Sequence, residues 1–300
     1  MEFTHPEYLV STEWLADHID DPSVRILDVT AKLTRGFENR AEAECYQDHH
    51  IPGSLFFDVA AGKGVLSDRD ADLPWMWPSA GQISASLAAV GVGPNTRVVL
   101  VARTPRDGID SGTMWCTRAW WTLHHSGVDV AILAGGIEQW ELEGRPMVAD
   151  PSTIAESRVF VARDGRPTAR ATKGDVLAAV QGDGATCLVD ALGADSFDGT
   201  GPTYGPRSGH ISGAINVPFR SLIERETAAF VDGDRMHAAL SAAGLFDAPK
   251  VITYCGGAIA ATVDAFALAL FGRTDVAVYD GSLMEWSTDA DLPMTDPSAV

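Results

Sequence analysis

The stretch KVITYCGGAIAATVDAFALALFG, residues 250–272, joins two patterns through one cysteine. Val251, Ile252, Thr253 and Tyr254 are β-branched or aromatic and read as a buried strand. Residues 258–271 read as a helix, ended by Gly272. Between them, Cys255-Gly256-Gly257-Ala258 has side chains small enough for the backbone to curl tightly. In open parallel sheets, ligands sit at the carboxyl ends of strands, where loops lead into helices. A curled loop there turns successive N–H groups inward, and the helix N-terminus behind it favours negative charge. A cysteine sulfur in such a place ionises readily. The stretch therefore predicts a reactive Cys255, held as a thiolate or as a thiolate carrying another atom.

Working outward, the chain repeats itself. RILDV (25–29) has the form of CLVDA (187–191), and HIPGSLFFDV (50–59) matches HISGAINVPF (210–219). RVVLVAR (97–103) matches KVITYCG (250–256), and VAILAGGIEQW (130–140) matches VAVYDGSLMEW (276–286). Matches in the same order mean a tandem duplication. The first copy has Ala102-Arg103 where the second has Cys255-Gly256, so only the second carries the cysteine. Each copy alternates strands with helical patterns: in the first, a helix at 79–90, a strand at 97–102, a helix at 114–125 and a strand at 130–133. Alternation of this kind implies parallel pairing with helices on both faces. The expectation is α/β, with two domains of about five strands each, 1–150 and 151–300. The Pro-, Ser- and charge-rich segment 143–167 reads as the linker.

The formal net charge of −19 argues against nucleic acid and against an anionic membrane surface. The most apolar segment, 258–271, is too short to span a bilayer and contains Asp264. The four cysteines, Cys45, Cys116, Cys187 and Cys255, show no metal-finger spacing, and no metal is expected. With no secretory pattern at MEFTHPEYLV, a cytoplasmic protein is the expectation. Cys45, Cys116 and Cys187 read as structural. His50 and His210 recur in matching turns of both copies, which points to a role within the fold.

HIPG and SGHISGA, LAGGIEQW and YDGSLMEW, RAWW (118–121) and the cysteine loop resemble the rhodanese family of sulfurtransferases over nearly the whole chain. They are similar to the tandem-domain thiosulfate and 3-mercaptopyruvate enzymes, whose first domain has lost its cysteine. The resemblance implies two rhodanese-like domains, the second catalytic. It implies that the Cys255 thiolate takes the outer sulfur of a small-molecule donor, becomes a persulfide, and passes that sulfur to cyanide or a thiol. Gly256, Gly257, Ala258, Ile259 and Ala260 would cradle the persulfide, with no cofactor. A persulfide carrier or interaction module without turnover is the alternative.

The chain also departs from the family pattern. The cysteine loop carries no charge, where thiosulfate enzymes usually have Cys-Arg-Lys-Gly, and Gly257 stands where mercaptopyruvate enzymes usually have serine. Leu192 and Ser196 stand where arginines usually hold the anionic donor, and Trp75 stands in place of a first-domain histidine. Arg207, Arg103 and Trp75 are then the candidates for substrate contact.

Overall fold

The computed structural model describes residues 1–105, 111–149, 152–153, 158–165, 167–182, 184–224 and 227–299. By its contacts the chain divides into a first unit, residues 7–165 with 225–230, and a second unit, residues 1–6, 166–224 and 231–300. The junction expected near residue 150 lies outside the described residues. The later part of the linker packs on the first unit: Ala162 N–H donates to Ser84 Oγ at 3.0 Å and Arg163 N–H to the Ser126 carbonyl at 3.0 Å.

The first unit runs β1 (Leu9–Val10), α1 (Thr12–Asp17), β2 (Val24–Asp28), β3 (Leu55–Phe56), α2 (Ala80–Ala89), β4 (Arg97–Val101), α3 (Gly112–His125), β5 (Asp129–Leu133) and α4 (Gly136–Leu142). Its sheet has the order β1-β5-β4-β2-β3, and every pairing is parallel. The central strand β4, RVVLV, is buried from Val98 to Val101. A strand covered on both faces reads as an unbroken apolar run. Ser79 starts α2 with a capping box to Gln82, and Ser111 caps α3. Leu15, Ile26, Val99, Val101, Leu133 and Trp140 belong to one core cluster. Each large aliphatic side chain buried there contributes roughly 1.5–3 kcal/mol.

The second unit runs β6 (Arg170–Ala171), α5 (Lys173–Val180), β7 (Thr186–Asp190), α6 (Ala194–Phe197), β8 (His210–Ile211), β9 (Ile215–Asn216), α7 (Gly233–Ala242), β10 (Lys250–Tyr254), α8 (Ala261–Leu270), β11 (Val276–Tyr279), α9 (Ser282–Trp286) and β12 (Met294–Thr295). Its main sheet has the order β6-β11-β10-β7-β9, again parallel, with β8 and β12 forming a separate antiparallel pair. The two sheets thus place matching segments at matching positions, with β4 and β10 central. The α/β fold of two parallel five-stranded sheets flanked by helices is the one expected from the alternating patterns.

The recurring histidines explain part of this symmetry. His50 stacks on Tyr46 at 4.0 Å, and its Nδ1–H donates to the Tyr46 carbonyl at 2.8 Å. His210 stacks on Phe197 at 3.6 Å, and its Nδ1–H donates to the Phe197 carbonyl at 2.7 Å. Both rings fasten the turn after the first long strand to the chain segment before it.

Candidate active site

Cys255 follows β10, the central strand of the second sheet. The helix read from the sequence at 258–271 begins only at Ala261. Residues 255–260 instead curl around the cysteine sulfur, and Ala258 takes a left-handed conformation, φ 61°. That conformation costs a residue with a Cβ roughly 1–2 kcal/mol. α8 has no side-chain cap at Ala260. Its first amide, that of Ala261, bonds the cysteine sulfur together with the loop amides of Gly257 and Ile259, while the Thr262 and Val263 N–H groups donate to the Ile259 and Ala260 carbonyls. Gly257 and Ile259 lie within the expected cradle of residues 256–260. The Ala261 amide is a third donor that sequence reading missed, since a main-chain amide has no sequence signature.

The loop is held from outside by α9. Leu283 N–H donates to the Cys255 carbonyl at 3.0 Å and Met284 N–H to the Gly256 carbonyl at 2.9 Å. Cys255 N–H donates to Ser282 Oγ at 3.3 Å, and that hydroxyl donates to the Tyr279 carbonyl at 2.8 Å. From the helix side, Thr253 Oγ1 donates to the Ala261 carbonyl at 2.9 Å. The first copy keeps part of this frame without the sulfur: Ile137 N–H donates to the Ala102 carbonyl at 3.0 Å.

Cys255 is 3% exposed. Burial pushes its thiol above the ordinary value, and the amides of Ala261, Gly257 and Ile259 pull the other way. Ready ionisation, expected from the helix N-terminus, therefore meets a desolvation cost that the sequence does not reveal. Burial also raises Cys45, Cys116 and Cys187. Among the described residues, Cys255 alone of the four cysteines has main-chain amides on its sulfur.

Two carboxyls are buried on the elements beside the loop, β7 and α8. Asp190 ends β7 in register with Tyr254. Its Oδ1 accepts the Leu192 N–H at 2.8 Å, and Oδ2 is buried. Burial raises Asp190 to about 6, against the Leu192 amide and the Tyr254 hydroxyl. Asp264, in the first turn of α8, is fully buried with neither carboxyl oxygen hydrogen-bonded. Burial, with Asp190 adding to it, lifts Asp264 well above the carboxylate range.

The residues expected at the substrate have other partners. Arg207 donates to four carbonyls: from Nε to Ser287 at 2.9 Å, from Nη1 to Leu292 at 2.8 Å, and from Nη2 to Trp286 at 3.0 Å and Asp289 at 2.5 Å. Arg103 makes a two-pronged pair with Glu141, at 3.2 and 2.8 Å. Trp75 is 6% exposed, donates from Nε1 to the Ala60 carbonyl at 2.8 Å, and packs edge-on against Phe37 and Trp115. Leu192 and Ser196 are buried. Among the described residues, no group of three or more His, Cys, Asp or Glu forms a metal cage. No helix is long and apolar enough to cross a membrane among the described residues.

Known proteins share this architecture and much of this sequence. The family model of the rhodanese-like domain matches residues 11–143 and again 172–289. The 3-mercaptopyruvate sulfurtransferase of Escherichia coli (strain K12) is 32% identical over 291 residues, which is 96% of this chain and 97% of that protein. The thiosulfate sulfurtransferase of Rattus norvegicus is 33% identical over 286 residues, covering 93% and 91% of the two chains. The crystal structure of SseA, a 3-mercaptopyruvate enzyme from Escherichia coli, superposes with a TM-score of 0.78 at 30% identity, covering 92% of this chain and 98% of that one. The duplicated sheet, the family match in both copies and relatives aligned over almost their whole length agree, and the chain belongs to the tandem rhodanese-domain family of sulfurtransferases.

Proposed function

We propose that Cys255 is the nucleophile of the sulfurtransferase reaction and carries the transferred sulfur as a persulfide, with the second unit as the catalytic domain and the first lacking the cysteine. The observation that supports this most directly is the set of three amides on the Cys255 sulfur. An anion on sulfur needs donors that do not themselves titrate, and main-chain N–H groups provide them. Burial disfavours the bare thiolate, and the amides offset that cost where the reaction needs the charge. The thiolate attacks the outer sulfur of the donor, a new S–S bond forms, and the donor bond breaks with its electron pair on the leaving group. Sulfite leaves from thiosulfate, and the enolate of pyruvate leaves from 3-mercaptopyruvate. A thiol or cyanide then attacks the outer sulfur of the persulfide and returns Cys255 as a thiolate.

Thiosulfate and 3-mercaptopyruvate are the substrates named for the relatives, and the reading takes a small sulfur donor of this type. It places the reaction in the cytoplasm, where thiols stay reduced. All four cysteines are free. The test is Cys255→Ser. A hydroxyl is far less acidic than a thiol and forms no persulfide, so sulfur transfer to cyanide falls to background while circular dichroism is unchanged. Transfer that survives in this variant contradicts the assignment.

A further inference from the structure

The segment 199–209 contains no helix or strand, yet it is fixed at several points. Arg207 bonds four carbonyls in and beyond α9. A Cβ on Gly205 would stand 1.9 Å from Ser287 Oγ, and one on Gly209 would stand 2.1 Å from the Thr295 carbonyl oxygen. Beside these anchors, the ring of Tyr204 lies on the backbone of Gly256, the residue after the cysteine. A Cβ on Gly256 would stand 2.1 Å from Tyr204 Cδ1 and 2.5 Å from Cγ. No side chain fits there while the ring is in place, so ring and glycine form a matched pair. Tyr204 is half-buried, with part of its surface open to solvent.

We propose that Tyr204 determines donor specificity at the Cys255 site, as an aromatic wall that favours a sulfane sulfur carried on a flat organic group over a small inorganic anion. The inference rests on Cys255 receiving the sulfur. Two features of the second unit carry it. The ring takes the space a side chain at 256 would fill, so the residue next to the nucleophile carries no charge. The described arginines of the unit are also engaged elsewhere. Arg207 bonds carbonyls, Arg170 pairs with Asp280 at 3.2 Å, and Arg235 pairs with Glu224. Arg273 bonds the Phe246 and Ala248 carbonyls, and Arg220 lies 5.0 Å over the Phe219 ring. What the loop offers instead is an aromatic surface, which holds a flat ring by offset or edge contact.

The experiment compares benzenethiosulfonate, methanethiosulfonate and thiosulfate as donors. The first two carry the same charge and the same reacting bond. The Cys255 thiolate takes the outer sulfur of each, and the electron pair leaves on a sulfinate. Wild-type kcat/KM is expected to favour the benzene compound over the methane compound by roughly three- to tenfold, the range of an aromatic contact. Thiosulfate is expected to rank below the benzene compound. Tyr204→Phe keeps the benzene-to-methane ratio, and Tyr204→Ala brings it close to one. An unchanged ratio in Tyr204→Ala overturns the proposal.

Gly256→Ala tests the contact itself. Alone it is expected to lose transfer with every donor, and Tyr204→Ala in the same chain is expected to restore transfer from methanethiosulfonate. Full activity of Gly256→Ala alone overturns the matched pair. The ratio and the Cys255→Ser result fail separately, since loss of all transfer reports the nucleophile and a change in preference reports the ring.

Discussion

Asp190 shows how one side chain ties the sheet to the site. It is 1% exposed, closes the turn at Leu192, and meets the Tyr254 hydroxyl below the cysteine loop. Its carboxyl is raised to about 6 in the folded chain, from an ordinary 3.8. The folded state therefore holds a proton that the unfolded state releases between these values, and stability falls as pH rises through that window. The full effect is roughly 3 kcal/mol. Asp190→Asn keeps an acceptor for the Leu192 N–H and removes the titration. Urea unfolding from pH 4 to pH 7 is expected to show wild type losing stability relative to Asp190→Asn as pH rises, with the difference complete above about pH 7. Parallel curves for the two proteins would contradict the raised carboxyl. Arg207 teaches a different lesson at the same scale. An arginine near the site reads from sequence as an anion clamp. Its partners are carbonyls 79 to 85 residues further along the chain, and only the fold brings them together.

At the scale of elements, α8 is the least ordinary helix of the second unit. It is buried almost throughout, so its sequence is apolar on all sides and its existence is legible. Its start is not. Ala258, Ile259 and Ala260 have helical composition, and the sulfur seat, which takes the Ile259 amide and has Ala258 at φ 61°, holds them out of the helix. Asp264 interrupts the apolar run and was legible only as a residue ill suited to a membrane. In the fold it is a buried carboxyl without a hydrogen bond. An unsatisfied buried polar group costs about 1–3 kcal/mol. Asp264→Val, close in shape and equal in helix propensity, is therefore expected to raise the unfolding free energy by about that much. A urea titration at neutral pH measures it, and a less stable variant would show that Asp264 has a partner that holds it in place.

For the whole molecule, the duplication was legible because the repeated motifs encode the same turns. The HI-x-G histidines fasten one turn in each copy, and the long strands occupy the same places in two sheets of the same order. The difference between the copies was legible too, in Ala102 against Cys255. The partners of Trp75, Arg103 and Arg207 were not, because they come from distant segments. The central claim is that sulfur passes through Cys255 and no other thiol. Cys116 is the closest rival by burial, but it lies inside α3, with no amide from the described residues on its sulfur. The most direct measurement is mass spectrometry of peptides after the reduced protein has met a sulfane-sulfur donor without acceptor. The account predicts one added sulfur atom on the peptide of Cys255, lost on addition of cyanide, and the same result in Cys116→Ser. Sulfur found on the peptide of Cys45, Cys116 or Cys187 with Cys255 unmodified would contradict it.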